Sequence, residues 1–220
     1  MSALDELLAH PGLWRGREAD TSVATPVRSS GFAQLDAALR GGWPRGQLTE
    51  LIGGPFGSGE TRMLLPVLTA CTREQRRVVL VSPPATPWIP GWRQLGVNPA
   101  LVLMIRATTG DDVVWSCEQM LRQPGTGALL AWLRDPNTTL LRRLRLAAGS
   151  GDACVFLYRQ PSASQQPSPA QLRIRWQGTT DHLRLEVIKH TGGWLPQSRS
   201  VMIAQDIPCH HSESGHPGFA

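Results

Sequence analysis

Apolar residues in this chain fall into two rhythms that alternate along most of its length. Leu48–Ile52, Arg77–Ser82, Leu101–Ile105, Gly127–Leu133 and Cys154–Tyr158 are short, mainly apolar runs. Such runs are expected of strands in a parallel sheet covered on both faces. Between them the apolar positions return every three or four residues. Phe32, Leu35, Ala38 and Leu39 form one such set, and Val113, Val114, Cys117, Met120 and Leu121 form another after Asp111. This spacing predicts helices with one buried face. A helix beginning near Gly59 contains Pro66 and is expected to kink there. Asp135 and Pro136 have the chemistry of an N-cap and a first-turn proline, opening a helix to about Ala148.

Beyond Tyr158 the rhythm changes. Pro161–Pro169 is a Ser/Gln/Pro loop, and Leu172–Trp176, Leu183–Lys189 and Val201–Ala204 read as strands, with Gly192-Gly193 as the turn between the last two. Repeated βαβ units with an antiparallel finish define an α/β protein. At the other end, Ser2–His10 reads as a short amphipathic helix stopped by Pro11. The resulting division is residues 1–28 as N-terminal helix and connector, 29–204 as one α/β domain, and 205–220 as a flexible tail.

The most specific chemistry follows the first of these strands. Gly54-Pro55-Phe56-Gly57-Ser58-Gly59-Glu60-Thr61 fits the phosphate-cradling pattern G-x-x-x-x-G-K-[ST] at every defined position but one. Glu60 stands where the lysine belongs. Two unit charges 4 Å apart interact by about 4 kcal/mol at an effective dielectric near 20. Exchanging lysine for glutamate removes that attraction and adds a repulsion of similar size. Arg62 is no obvious replacement, because a helix position two residues on points elsewhere around the axis. Tight triphosphate binding in the usual pose is therefore not expected. The competing readings are a plain strand-to-helix turn, or a residual nucleotide or anion site at the loop amides.

Composition narrows the remaining classes. A chain of 220 residues with 41% hydrophobic content can bury one sizeable core. No apolar run approaches the roughly 20 residues of a membrane span, and the acidic start Met1-Ser2-Ala3-Leu4-Asp5-Glu6 lacks the features of a secretory signal. Cys71, Cys117, Cys154 and Cys209 follow no metal or redox spacing, which fits reduced thiols in a cytoplasmic protein. Cys209-His210-His211 with His216 lacks a second ligand pair, so no metal site is expected. The net charge is +5, carried almost wholly by arginine, since Lys189 is the only lysine.

The order of motifs resembles the RecA recombinase core. Ser29-Ser30-Gly31-Phe32-Ala33-Gln34-Leu35-Asp36-Ala37-Ala38-Leu39, then Gly42-Trp43-Pro44-Arg45-Gly46, a strand and the glycine loop follow in the RecA sequence of parts. Gln94-Leu95-Gly96-Val97 and Thr109-Gly110-Asp111 continue it. Trp14-Arg15-Gly16, Ala131-Trp132-Leu133-Arg134 and Gly192-Gly193-Trp194 resemble the smaller RecA-like proteins of the ImuA family, often described as SulA-like. The resemblance covers roughly Leu4 to Ile203. It implies a RecA-like P-loop NTPase core with a mainly parallel sheet. It also implies an accessory role in SOS-induced translesion DNA synthesis, beside RecA, an ImuB-like Y-family polymerase-like protein and an error-prone replicative-type polymerase. A SulA-type inhibitor of FtsZ assembly is the alternative that the same resemblance allows.

Three departures from RecA concern catalysis. Besides Glu60, the region where RecA places its water-activating glutamate is Ser82-Pro83-Pro84-Ala85, with no carboxylate. The strand expected to end on a magnesium-binding aspartate runs through Ala131-Trp132-Leu133. Thr61 keeps a hydroxyl, but one hydroxyl cannot hold a magnesium site. The expectation is a pseudo-ATPase with no catalytic residue, no metal and no required cofactor. Gly54, Gly57, Ser58, Gly59, Glu60 and Thr61 are then a degenerate loop at which nucleotide binding is doubtful.

Candidate contacts with partners are the apolar N-terminal residues Leu4, Leu7, Leu8 and Trp14 and the loop tryptophans Trp88 and Trp92. Two arginine pairs join them, Arg142 with Arg145 on one helix face and Arg173 with Arg175 on one side of a strand. Trp115 and Trp132 are expected in the core. Single-stranded DNA is a further candidate partner, although the stretches matching the DNA loops of RecA, around Arg134–Thr138 and Arg159–Ala170, are short or altered.

Overall fold

The computed structural model describes residues 25–57, 59–179, 181–190 and 200–204. Ten strands, β1 to β10 in chain order, run Val27–Arg28, Trp43–Pro44, Gln47–Gly53, Arg77–Val81, Val102–Ile105, Thr126–Trp132, Cys154–Arg159, Leu172–Gly178, His182–Lys189 and Ser200–Ala204. Five α-helices, α1 to α5, run Ala33–Ala38, Leu65–Arg73, Ile89–Gln94, Gly110–Arg122 and Thr138–Ala148.

Eight strands form one sheet in the order β10-β9-β8-β3-β7-β6-β4-β5. From β8 to β5 all neighbours are parallel, and β9 and β10 close the other end antiparallel. The glycine-loop strand β3 lies between β7 and β8, its central position enforced by near-complete burial from Leu48 to Gly53. The pleat divides the core cleanly, as alternation along a strand requires. Val78 and Leu80 of β4 pack with Leu64, Val67, Leu68 and Cys71 beneath α2, whereas Val79 and Val81 pack with Val113, Val114, Leu141 and Leu144 of α4 and α5. Each such side chain, fully buried, contributes roughly 1.5–3 kcal/mol relative to exposure.

Several elements differ from their sequence expectation for local reasons. Past the loop the chain first makes a 3-10 turn, Arg62–Leu64, and only then the α-helix α2. Pro66 therefore sits in the first turn of α2, where a missing N–H costs nothing, and starts the helix where a kink was expected. Helix α5 is capped by Asn137, whose side chain accepts from the Leu140 N–H at 2.9 Å; Asp135 is an exposed loop residue. Trp115 is 58% exposed on α4, because the buried stripe runs through Val113, Val114 and Cys117. Edge strand β5 leaves Leu103 and Met104 exposed. A two-stranded ribbon, β1 with β2, seats Trp43 in the core edge-on to Phe156, with ring centroids 5.2 Å apart.

The Ser/Gln/Pro loop is bound tightly to the sheet. Its 3-10 turn, Pro161–Gln165, presents the Ala163 carbonyl to Arg173 at 2.7 Å, and Gln166 accepts from Arg159 at 2.7 Å. Glu50, wholly buried on β3, accepts from Ser168 at 2.7 Å, from Arg173 at 2.7 Å and from Arg159 at 3.4 Å. Lys189 donates to the Ser168 carbonyl at 2.8 Å. Burial, with Arg173 close by, moves the Lys189 ammonium below its ordinary range. The segments expected as the N-terminal helix, the Gly192-Gly193 turn, the tail and its Cys209-His210-His211 run lie outside the described residues. Among the described residues no helix is long and apolar enough to cross a membrane, and no cluster of ligating side chains could hold a metal.

Candidate functional site

The glycine loop leaves the end of β3 and turns back over the sheet. Gly57 and Gly59 have φ of 94° and 95°, a region that strains any residue with a Cβ. At Gly57 a Cβ would meet nothing within 4 Å, so the backbone conformation, and not crowding, is what requires glycine there. Gly57 and Gly59 thus supply backbone conformations that favour glycine on either side of residue 58.

The cradle holds an anion of its own. Both carboxylate oxygens of Glu60 accept from the Gly57 N–H at 2.9 Å, and the Glu60 residue is only 5% exposed. A carboxylate thus takes a loop amide of the type that would face a phosphate oxygen. Tyr158, at the end of β7, donates its hydroxyl to the Glu60 carbonyl at 3.2 Å. Trp132 stacks on the Tyr158 ring at 4.7 Å, and Phe56 meets it edge-on at 6.2 Å. Above the loop is a cavity of about 580 Å³ walled by Phe56, Pro84, Trp88, Trp92 and Trp132, with Glu60 and Arg62 at its floor.

Among the described residues, Glu60 is the one carboxylate that lines this cavity. The loop after β4 contributes prolines, and Ser82 is tied to Ala107, its hydroxyl donating to the Ala107 carbonyl and accepting from the Ala107 N–H, both at 3.0 Å. Strand β6 ends on the indole of Trp132 where a magnesium-binding carboxylate would be needed. Thr61 is half-buried beside Glu60. The walls are apolar, which suits stacking or packing and not the clamping of a charged phosphate chain.

Tyr158 gives this arrangement an optical reporter. Burial first, and the Glu60 charge second, push its phenol well above the ordinary value of 10.0. The neutral phenol is thus favoured by the fold, so its contribution to stability is complete below pH 10 and is lost as pH rises beyond it. Because Tyr158 is the only tyrosine, tyrosinate absorbance reads this group alone. The absorbance is expected to appear in the same alkaline step as loss of circular dichroism. A titration with an ordinary midpoint in the folded protein would contradict the buried placement.

The sequence-derived contact candidates separate in space. Trp88 is 69% exposed at the cavity rim, and Trp92 is half-buried in its wall. Arg142 and Arg145 are exposed together on α5. Arg175 is exposed on β8 and pairs with Glu186 at 3.2 Å. Arg173 is a correction: it is 7% exposed, and its guanidinium is spent on Glu50 and the Ala163 carbonyl, so it cannot touch a partner or DNA. Glu50 and the 161–165 turn cover Arg173, whereas Arg175, two residues on, is left exposed. Trp132, expected in the core, is instead a half-buried wall of the cavity. Leu4, Leu7, Leu8, Trp14 and Ser58 lie outside the described residues. Sequence reasoning did not single out Glu50, Arg159 or Tyr158. A lone carboxylate within a buried strand was the available signal for the first two, because such a charge demands partners.

Sheet order, the glycine loop after β3 and the helices on both faces define a RecA-like α/β protein. The chain is 32% identical to Protein RecA of Gluconobacter oxydans over 138 residues, covering 62% of this chain and 39% of that one. It is 29% identical to Protein RecA of Bacillus cereus over 143 residues, 64% of this chain and 40% of the other. It is 30% identical to Protein ImuA of Caulobacter vibrioides over 151 residues, 66% of this chain and 62% of that protein. These similarities support an ImuA-like protein with a RecA-like relationship. It matches about two fifths of the length of these RecA proteins and 62% of the ImuA protein. No family model matches the chain.

Proposed function

We propose that this chain is a non-catalytic RecA-like accessory protein of a mutagenesis cassette in SOS-induced translesion DNA synthesis. In this reading it binds RecA and an ImuB-like, Y-family polymerase-like partner, and it consumes no nucleotide. The observation that carries the non-catalytic part is the Glu60 carboxylate seated on the Gly57 N–H. A triphosphate would have to displace this tethered anion and then meet apolar walls with no acid to hold magnesium. Relatedness to ImuA supports the cassette assignment. The exposed Trp88 at the cavity rim and the Arg142 and Arg145 pair on α5 are the described surfaces offered to partners.

Calorimetric titration of the purified protein with ATP and magnesium is expected to give no saturable binding and no turnover. Glu60→Lys is expected to raise pyrophosphate affinity by more than about tenfold, since about 1.4 kcal/mol suffices for that factor, while turnover stays absent. Steady ATP turnover by the wild type would overturn the non-catalytic reading. Affinity capture from DNA-damaged cells is expected to recover RecA and the polymerase-like partner, and recovery of neither would end the adaptor assignment.

A further inference from the structure

A second, larger cavity lies on the α2 face of the sheet and shares Gly59 and Arg62 with the glycine-loop cavity. Its volume is about 610 Å³, and it runs along α2 from Gly59 and Arg62 to Arg73 and Glu74. Its floor is apolar, formed by Phe32, Leu65, Pro66, Ala70, Leu183 and Ile203, with the 38%-exposed Leu95 on its rim. Arg62 and Arg73 stand on its edge, and neither makes a salt bridge among the described residues. An apolar trough edged by two unpaired guanidinium groups calls for an amphipathic, acidic occupant.

We propose that this groove is the docking site of the chain's own Ser2–His10 segment, which packs along α2 in cis with Leu4, Leu7 and Leu8 against the groove floor. The spacing of those leucines places them on one face of a helix. Asp5 flanks that stripe, so the segment brings negative charge toward Arg62 and Arg73. A nine-residue helix is about 13.5 Å long, the same as the nine-residue α2 it lies along.

The path of the chain favours this occupant over the other candidates. Where the description begins, Thr25 accepts from Gln47 at 3.1 Å, and Arg28 is bonded to Glu74, itself part of the groove wall, at 2.7 Å and 2.8 Å. The chain therefore passes the foot of the groove. Residues 11–24, extended, reach roughly 46 Å, more than three times the roughly 13.5 Å length of α2. The stretch beyond Ala204 also starts beside the groove, but Ile207 and Phe219 are its only large apolar residues and lie far apart. It cannot present a continuous apolar stripe. A cis contact also has the advantage of tethering, since a linked segment competes at high local concentration.

Cysteine pairing tests the contact and its direction. In full-length protein with Cys209→Ser, Leu7→Cys is combined with Leu95→Cys and oxidised at low concentration. Neither site belongs to the described core, so folding is not at stake. An intramolecular disulfide is expected, formed at least about tenfold faster than in the control pair Glu6→Cys with Leu95→Cys, whose first residue is on the opposite helix face. Absence of the disulfide, or equal rates for both pairs, would overturn the proposal. Disulfide-linked dimers whose yield rises with protein concentration would overturn it as well, by assigning the groove to a second copy.

Discussion

Replacing Glu50 by alanine is expected to destabilise the fold by about 3–5 kcal/mol, the range seen when one member of a buried ion cluster is removed. Glu50 is wholly buried, and it is the acidic partner of Arg159 and Arg173, which are 1% and 7% exposed. Without it, two guanidinium groups stay in the interior facing each other with no counter-charge. The loss also frees Ser168, so the loop from Pro161 to Ala170 loses an anchor on β3. Urea unfolding should show a lower midpoint with the same slope. Replacing Glu50, Arg159 and Arg173 together by apolar residues of similar volume is expected to restore most of the stability, because the cost lies in the stranded charges. A Glu50→Ala protein as stable as the wild type would contradict the buried cluster.

Trp43→Ala should cost a similar amount, about 3–5 kcal/mol, through the cavity left by an indole. Trp43 is 0% exposed and holds the β1–β2 ribbon against Phe156 at the base of the sheet. Trp43→Phe is expected to cost much less, since its indole N–H has no hydrogen-bond partner among the described residues and most of the contact is apolar. Thermal unfolding of the three proteins distinguishes the cases. Equal melting temperatures for Trp43→Ala and wild type would exclude a structural role for this residue.

Much of this architecture was legible in the residues. Unbroken apolar runs gave β4, β6 and β7, because strands covered on both faces leave no room for polar alternation. The 3.6-residue rhythm gave α4 with its buried Val113, Val114 and Cys117. Glu60 stood out because a single residue broke an otherwise complete motif. What could not be read was the direction in which that side chain would turn, back onto the Gly57 amide, since that depends on loop geometry and not on spacing. The β8 arginines show the same limit. Alternation placed Arg173 and Arg175 on one side of a strand, yet only Arg175 is exposed, because Glu50 and the 161–165 turn cover Arg173 alone. Trp115 was misjudged for the opposite reason. It is a large apolar residue on an amphipathic helix, but it lies on the face opposite the stripe that meets the sheet.

The carboxylate on the Gly57 amide has one more consequence, for how this fold responds to the metabolic state of a cell. A P-loop protein filled by a diffusible ligand gains stability in proportion to the logarithm of that ligand's supply, and loses it in starvation. Here the filling group is covalently attached three residues along the chain from the amide it occupies, at an effective concentration set by the chain itself. On the non-catalytic reading proposed above, the shape of this loop would then not depend on nucleotide supply.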